Sequence, residues 1–241
     1  NIRWRKEAAE EKINTVKLQI SKFSPKFLIP FASYIFFSNR ENSYLNDSVN
    51  TPKKLIEQLS KSDVEVKVMA PNDTFGGSLQ TLDEKKSIKF WESKYEAIGK
   101  QTLYEYEPID FTQLEQNFLK YSSRISSSNS IFFIRILRKI SPIKVFQPIR
   151  VKLTDLNITV EFDYVYKSFK QTTEQSHLAM KSECLDFLFK NSFGFDTLTV
   201  NGCFEEDTVG GFVYSTKTLA IENLNNLGIQ VKFSTVFNIS L

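Results

Sequence analysis

Between residues 2 and 22 the apolar positions Ala8, Ala9, Ile13, Val16 and Ile20 return at helical spacing among charged neighbours, which predicts an amphipathic helix ended by Pro25. Residues 27 to 37 (FLIPFASYIFF) are β-branched and aromatic, as a buried strand requires, with a break or bulge at Pro30, which has no N–H to give a ladder. Residues 39 to 50 are polar and predict a loop. Thr51 then stands as an N-cap, Pro52 in a first helical turn, and Leu55, Ile56 and Leu59 on one face of a helix reaching Lys61. A short alternating strand follows from Glu65 to Met69, and Pro71, Asn72 and Asp73 with Gly76 and Gly77 predict a turn. Strand, loop, helix and strand in that order imply parallel pairing in an α/β layer.

Residues 83 to 109 are charged and aromatic without a clear period and read as a connector. Asp110 can cap a helix running to Ser123, and a second helix spans Ile131 to Ile140 after a serine-rich break. Beyond Pro142 the pattern turns to alternation. Val145 to Leu153 and Ile158 to Phe169 predict an antiparallel hairpin about Asp155, Leu156 and Asn157, and His177 to Met180 a third strand. Ser182 reads as the cap of a helix that buries Leu185, Leu188 and Phe189 and ends at residues 191 to 194. Thr197 to Phe204 then reads as a strand, and Thr216 to Leu227 as a last helix closed by Gly228. The expected organisation is an α/β part over residues 1–82, a connector over 83–109 and an α+β domain over 110–241.

Composition narrows the chemistry. A chain of 241 residues, 41% apolar and with 22 Phe against 8 Gly and 7 Pro, is long enough to bury a core. A net charge of +3 is too small to argue for nucleic acid, and no nucleic-acid partner is expected. Cys184 and Cys203 lack CxxC spacing, which predicts reduced thiols in a cytoplasmic setting and no disulfide framework. No apolar run reaches the roughly 18 residues of a membrane span, and the charged opening NIRWRKEAAEEK reads as neither a spanning helix nor a signal peptide. His177 is the only histidine, so sites needing two or more imidazoles cannot be assembled from this chain by itself, and its expected role is structural. No GxSxG occurs, and neither glycine pair has the spacing of a phosphate loop.

One segment carries charge in a pattern. From Lys120 to Lys152 there are basic residues and no acid, and in SIFFIRILRKI the side chains of Arg135, Arg138 and Lys139 are expected on one side of a helix whose apolar surface comes from Ile131, Phe132, Ile134 and Leu137. Such a helix either packs on a core with its charged face in water or lies on a membrane surface or polyanion.

The stretch KFLIPFASYIFFSNRENSY followed by NDSVNTPKKLIEQLSKSDVEVKVMAPNDTF resembles the closing part of the metallo-β-lactamase-like domain of the CMP-N-acetylneuraminate hydroxylase family and its bacterial relatives. Asp110 to Leu119 and SECLDFLFKNSFGFDTLTVNGCF resemble later parts of the same family, and the second half is also similar to sterol-carrier-type domains, which enclose an apolar groove. The resemblance implies that the metal ligands and any Rieske module lie upstream, on an N-terminal half that would be this chain's partner, with zinc or iron held there and no cofactor within these residues. Where some relatives carry a last histidine ligand, this chain has Phe31, Ala32 and Ser33, a departure from a standard dinuclear site.

The function expected is therefore that of a C-terminal, catalytically silent piece of a hydroxylase-like or hydrolase-like protein acting on a sugar-linked or phosphate-bearing small molecule. Phe31, Ser33, Tyr34 and Asn39 at the end of the first strand, with Asn72 and Asp73 after the second, are the candidates to line its substrate, since α/β sites gather beyond strand ends. The alternative is a non-enzymatic lipid-binding or membrane-surface module.

Overall fold

A computed structural model describes residues 2–31, 34–76 and 80–233, in a mixed α/β arrangement of two compact units that divide after Glu105.

Unit 1 opens with α1 (Ile2–Phe23), a helix of 22 residues that buries only Ala9 and Ile13. Strand β1 (Phe27–Leu28) pairs in parallel with β2 (Glu65–Val66), held by the Glu65 N–H donating to the Lys26 carbonyl at 3.1 Å and the Lys67 N–H to that of Leu28 at 2.8 Å. The parallel pairing agrees with the expectation, but the strand predicted over residues 27–37 is two residues long, because Pro30 cannot continue a ladder. Helix α2 (Pro52–Leu59) begins as its sequence requires: Pro52 occupies the first turn and the Thr51 hydroxyl accepts from the Lys54 N–H at 3.3 Å. Ile13, Leu55 and Leu59 form a small core with Val16, Ile20, Leu28 and Val66 around it. The polar loop expected over residues 39–50 contains a 3-10 turn at Ser43–Ser48. The supposed connector contains a full helix, α3 (Glu84–Ile98), capped by the Asp83 carboxylate on the Lys86 N–H. Its period escapes notice because Ser87 is its one buried residue, so no apolar stripe marks it.

Unit 2 begins with α4 (Phe111–Ser128), capped by Asp110 on the Gln113 N–H at 3.0 Å, and α5 (Ile131–Ile140), capped by Ser130. A five-stranded sheet follows, built from β3 (Ile149–Leu153), β4 (Ile158–Asp163), β5 (Ser168–Thr172), β6 (Leu178–Met180) and β7 (Phe204–Glu206) in the order β5-β4-β3-β6-β7. The expected hairpin is present, with Ile149 opposite Phe162 and Leu153 opposite Ile158. The second predicted strand, residues 158 to 169, is two strands separated by a turn in which Lys167 has φ 53°. Within this sheet the β3–β6 pairing is parallel and the others antiparallel. Among the described residues the unit has three further helices, α6 (Ser182–Lys190), α7 (Gly194–Asn201) and α8 (Gly211–Asn226).

Ser182 and residues 197–204 also depart from expectation. Ser182 does not cap α6 with its side chain: Asp155, from the turn between β3 and β4, accepts from the Ser182 N–H at 2.9 Å and from its hydroxyl at 2.6 Å. The Ser182 Oγ in turn accepts from the Ile109 N–H at 2.7 Å. Residues 197–204, expected as a strand from their Thr and Val content, are mostly helix α7, since burial of Phe195 and Leu198 needs spacing of three and Gly202 closes the helix at φ 60°.

The interior of unit 2 is a continuous cluster in which Phe118, Tyr121, Phe162, Tyr164 and Phe189 are each 0–1% exposed. Phe189 meets Phe118, Tyr121 and Phe162 at centroid distances of 5.5, 5.4 and 5.2 Å, the edge-to-face and tilted geometry that aromatic quadrupoles prefer. Rings occupy the space between the sheet and α4 and α6.

Candidate functional site

Two places on the molecule combine geometry and chemistry suited to binding. The first is a cavity of about 260 Å³ in unit 1, lined by Lys12, Ile13 and Val16 of α1, by Leu28, Ile29 and Phe31 from β1 onward, by Tyr34, and by Asn50, Thr51 and Leu55 at the start of α2. Two of the predicted lining residues meet there, Phe31, which is 81% exposed, and Tyr34. The Tyr34 ring lies 4.9 Å from that of Trp91, whose indole N–H donates to the Met69 carbonyl at 2.9 Å. Burial, then the neighbouring Tyr95, pushes the Tyr34 hydroxyl well above the usual tyrosine value, so it keeps its proton as a donor. Asn50 donates through Nδ2 to the Ala9 carbonyl at 2.9 Å, tying α2 to α1. Among the described residues the Tyr34 hydroxyl and the Asn50 Oδ1 are buried without hydrogen-bond partners.

The other predicted lining residues do not join them. Ser33 lies outside the described residues. Asn39 begins a short pairing with Tyr104, and its N–H donates to the Asn42 side chain at 3.2 Å. Asn72 is exposed in its turn at φ 72°. The Asp73 carboxylate accepts from the Ser87 hydroxyl and from the Ala70 N–H at 2.7 Å; those two bonds, Ser87 foremost, hold it below the ordinary carboxylate value. It caps its own turn.

The second place is the outer face of α5. Phe133 and Ile134 point into the core, while Phe132 (66% exposed) and Ile140 (70%), with Ile143 (59%) in the following turn, remain in solvent. Arg135, Lys139 and Lys144 are exposed beside them. Arg138, predicted on the same side, is not: it makes a two-pronged ion pair with Asp163 at 2.7 and 2.8 Å and donates to the Phe146 carbonyl. With 3.6 residues per turn, a side chain at 138 falls beyond the face shared by 132, 135 and 139, and the chain turns it inward. The Arg135 guanidinium covers the Tyr166 ring at 4.7 Å.

His177, expected to be structural, is held on two sides. Its Nδ1 accepts from the Arg150 N–H at 3.0 Å, its ring stacks on Tyr214 at 4.2 Å, and burial, then the Arg150 cation, lowers its pKa. Cys184 and Cys203, far apart in sequence, are neighbours: the Tyr106 hydroxyl donates to the Cys203 sulfur at 3.1 Å, and a hydrogen bond to Cys203, then burial, raises the Cys184 thiol. That meeting of a cysteine in α6 with one just before β7 has no signature in the sequence. Among the described residues no group of three or more His, Cys, Asp or Glu stands close enough to hold a metal ion, and no helix is long and apolar enough to cross a membrane. Compared with known proteins, the chain matches no family model, no curated protein and no solved structure.

Proposed function

We propose that this chain is a non-enzymatic module that attaches to an anionic membrane surface, in the cytoplasm, through α5 and the turn that follows it. The observation that supports this reading is the alternation on one face of exposed apolar side chains, Phe132, Ile140 and Ile143, with exposed cations, Arg135, Lys139 and Lys144. No acid occurs between Lys120 and Lys152 to oppose a negative surface. Each cation near an anionic leaflet contributes about 1 kcal/mol, and apolar groups reaching the acyl boundary add to it, so attachment is weak, reversible and sensitive to salt. Sedimentation with phosphatidylcholine vesicles and with vesicles containing phosphatidylserine tests it. Binding that needs the anionic lipid, fades with salt and disappears in Arg135→Glu/Lys139→Glu is the expected result; no binding to anionic vesicles at low salt rejects it.

A second reading is favoured by the parallel β1–α2–β2 unit: a closing part of a metallo-β-lactamase-like, hydroxylase-like or hydrolase-like protein, with zinc or iron and a sugar-linked or phosphate-bearing substrate held by residues upstream of this chain. Stoichiometric zinc or iron in the full-length gene product supports that reading, and its absence there removes it. The sterol-carrier-like variant for unit 2 has less behind it, since the interior of that unit is a continuous, aromatic-rich cluster.

A further inference from the structure

We infer that Cys184 and Cys203 form a redox modification site, a dithiol that hydrogen peroxide closes to an internal disulfide joining α6 to the start of β7. This inference is independent of membrane attachment through α5. Both residues belong to the core of unit 2, Cys184 1% and Cys203 8% exposed, and the chain has no other cysteine to compete. Cys184 stands in the first turn of α6, and Cys203 follows the Gly202 that ends α7, where its N–H donates to the Leu198 carbonyl at 3.0 Å. The two thiols are hydrogen-bonded to each other, and the Tyr106 hydroxyl bonds both, donating to the Cys203 sulfur at 3.1 Å. At rest the pair is reduced, because the bond to Cys203, then burial, holds the proton on Cys184.

Access comes at the sheet edge. Strand β7 is outermost and three residues long, with Glu205 and Glu206 exposed, so a local opening there bares Cys203 without unfolding the sheet. Cys203 therefore reacts first. Its sulfur attacks one peroxide oxygen, the O–O bond breaks, and the thiol proton leaves with the other oxygen as water, giving a sulfenic acid. The Cys184 sulfur then attacks that of Cys203: the S–S bond forms, the S–O bond breaks, and the hydroxyl leaves with the Cys184 proton as a second water. Each sulfur loses one electron and the peroxide gains two. Tyr106 positions the first step, since its O–H donates to the sulfur on which negative charge gathers. Burial, then the bond to Cys203, raises the tyrosine pKa, so it holds its own proton throughout.

The test treats the whole folded chain with a small excess of hydrogen peroxide. Both titratable thiols are expected to disappear, with a mass lower by two hydrogen atoms and no covalent dimer. The product is expected to melt roughly 5 °C higher, since a bond closing a loop of about 19 residues constrains the unfolded chain, and dithiothreitol should reverse every change. Cys184→Ala is expected to stop at the sulfenic acid of Cys203, which dimedone captures. Tyr106→Phe is expected to slow closure about tenfold, the equivalent of one hydrogen bond near 1.4 kcal/mol, whereas loss of a hydroxyl that only packs would loosen the core and speed the reaction. The inference is overturned if the folded protein keeps both thiols, if a sulfinic acid or a covalent dimer forms in place of the internal bond, if that bond forms only in denaturant, or if the oxidised protein melts below the reduced one.

Discussion

Unit 1 and unit 2 draw on similar alphabets and reach different interiors. In unit 1 the buried apolar side chains among the described residues are Ala9, Ile13, Pro52, Leu55, Leu59, Val64 and Val68, whereas in unit 2 an unbroken cluster runs from Leu114 to Ile221. The difference is geometric. A two-residue parallel pair offers α1 and α2 almost no flat surface, so Trp4 (72% exposed), Leu18 (53%) and Phe23 (76%) stay in water. Five paired strands give α4, α6 and α8 a face to cover, and hydrophobic stabilisation scales with the area removed from water. Apolar residues are necessary for a core, and a surface of matching shape decides whether they form one.

Hydrogen exchange should display the contrast most strongly. Amides of β3 and β4 are expected to exchange only through global unfolding of unit 2, and those of α1 orders of magnitude faster by local opening; equal protection in the two would break the comparison. Next in size, Phe189→Ala should cost unit 2 about 4 kcal/mol by denaturant titration, because rings on three sides cannot collapse into the void. Leu59→Ala in the small core of unit 1 should cost nearer 2 kcal/mol, at the lower end of such changes, since its few neighbours can relax.

Asp163→Ala should cost about 3 kcal/mol by stranding the Arg138 charge at 11% side-chain exposure, and Arg138→Met with Asp163→Leu should recover most of it. If the single and double changes cost the same, the pair is not what holds α5 to β4. Gly211→Ala should cost about 2 kcal/mol, because a Cβ there runs into the His177 carbonyl, whose carbon would be 2.9 Å away.

The smallest effect concerns His177. Its folded pKa is depressed, by burial and then by Arg150, below the ordinary 6.5, so the unfolded chain binds the proton first. Its contribution is therefore complete above that range and is lost as pH falls through it, levelling once the folded imidazole also protonates. The fall in thermal midpoint between about pH 7.5 and 5.5 should be shallower in His177→Gln.

Much of the local structure could be read from neighbouring residues. Thr51 and Pro52, Asp110, the helix over Ile131 to Ile140 and the hairpin about Asp155 to Asn157 stand as expected, since caps and tight turns are decided within a few residues of chain. Helix α3 and helix α7 were harder: the first has almost no buried stripe, and the second is written in residues with strand propensity.

Nearest-neighbour chemistry in the chain was enough to dictate the starts of α2 and α4 and the hairpin about Asp155 to Asn157. Folding in three dimensions decided what no window of residues contains: that Asp155 caps a helix 27 positions on, that Arg138 leaves the basic face for Asp163, that Cys184 meets Cys203, and that Tyr34 and Asn50 line one cavity. The reason is range. Caps and periods act over one or two turns, whereas burial and charge pairing act between whatever residues the packed elements bring together.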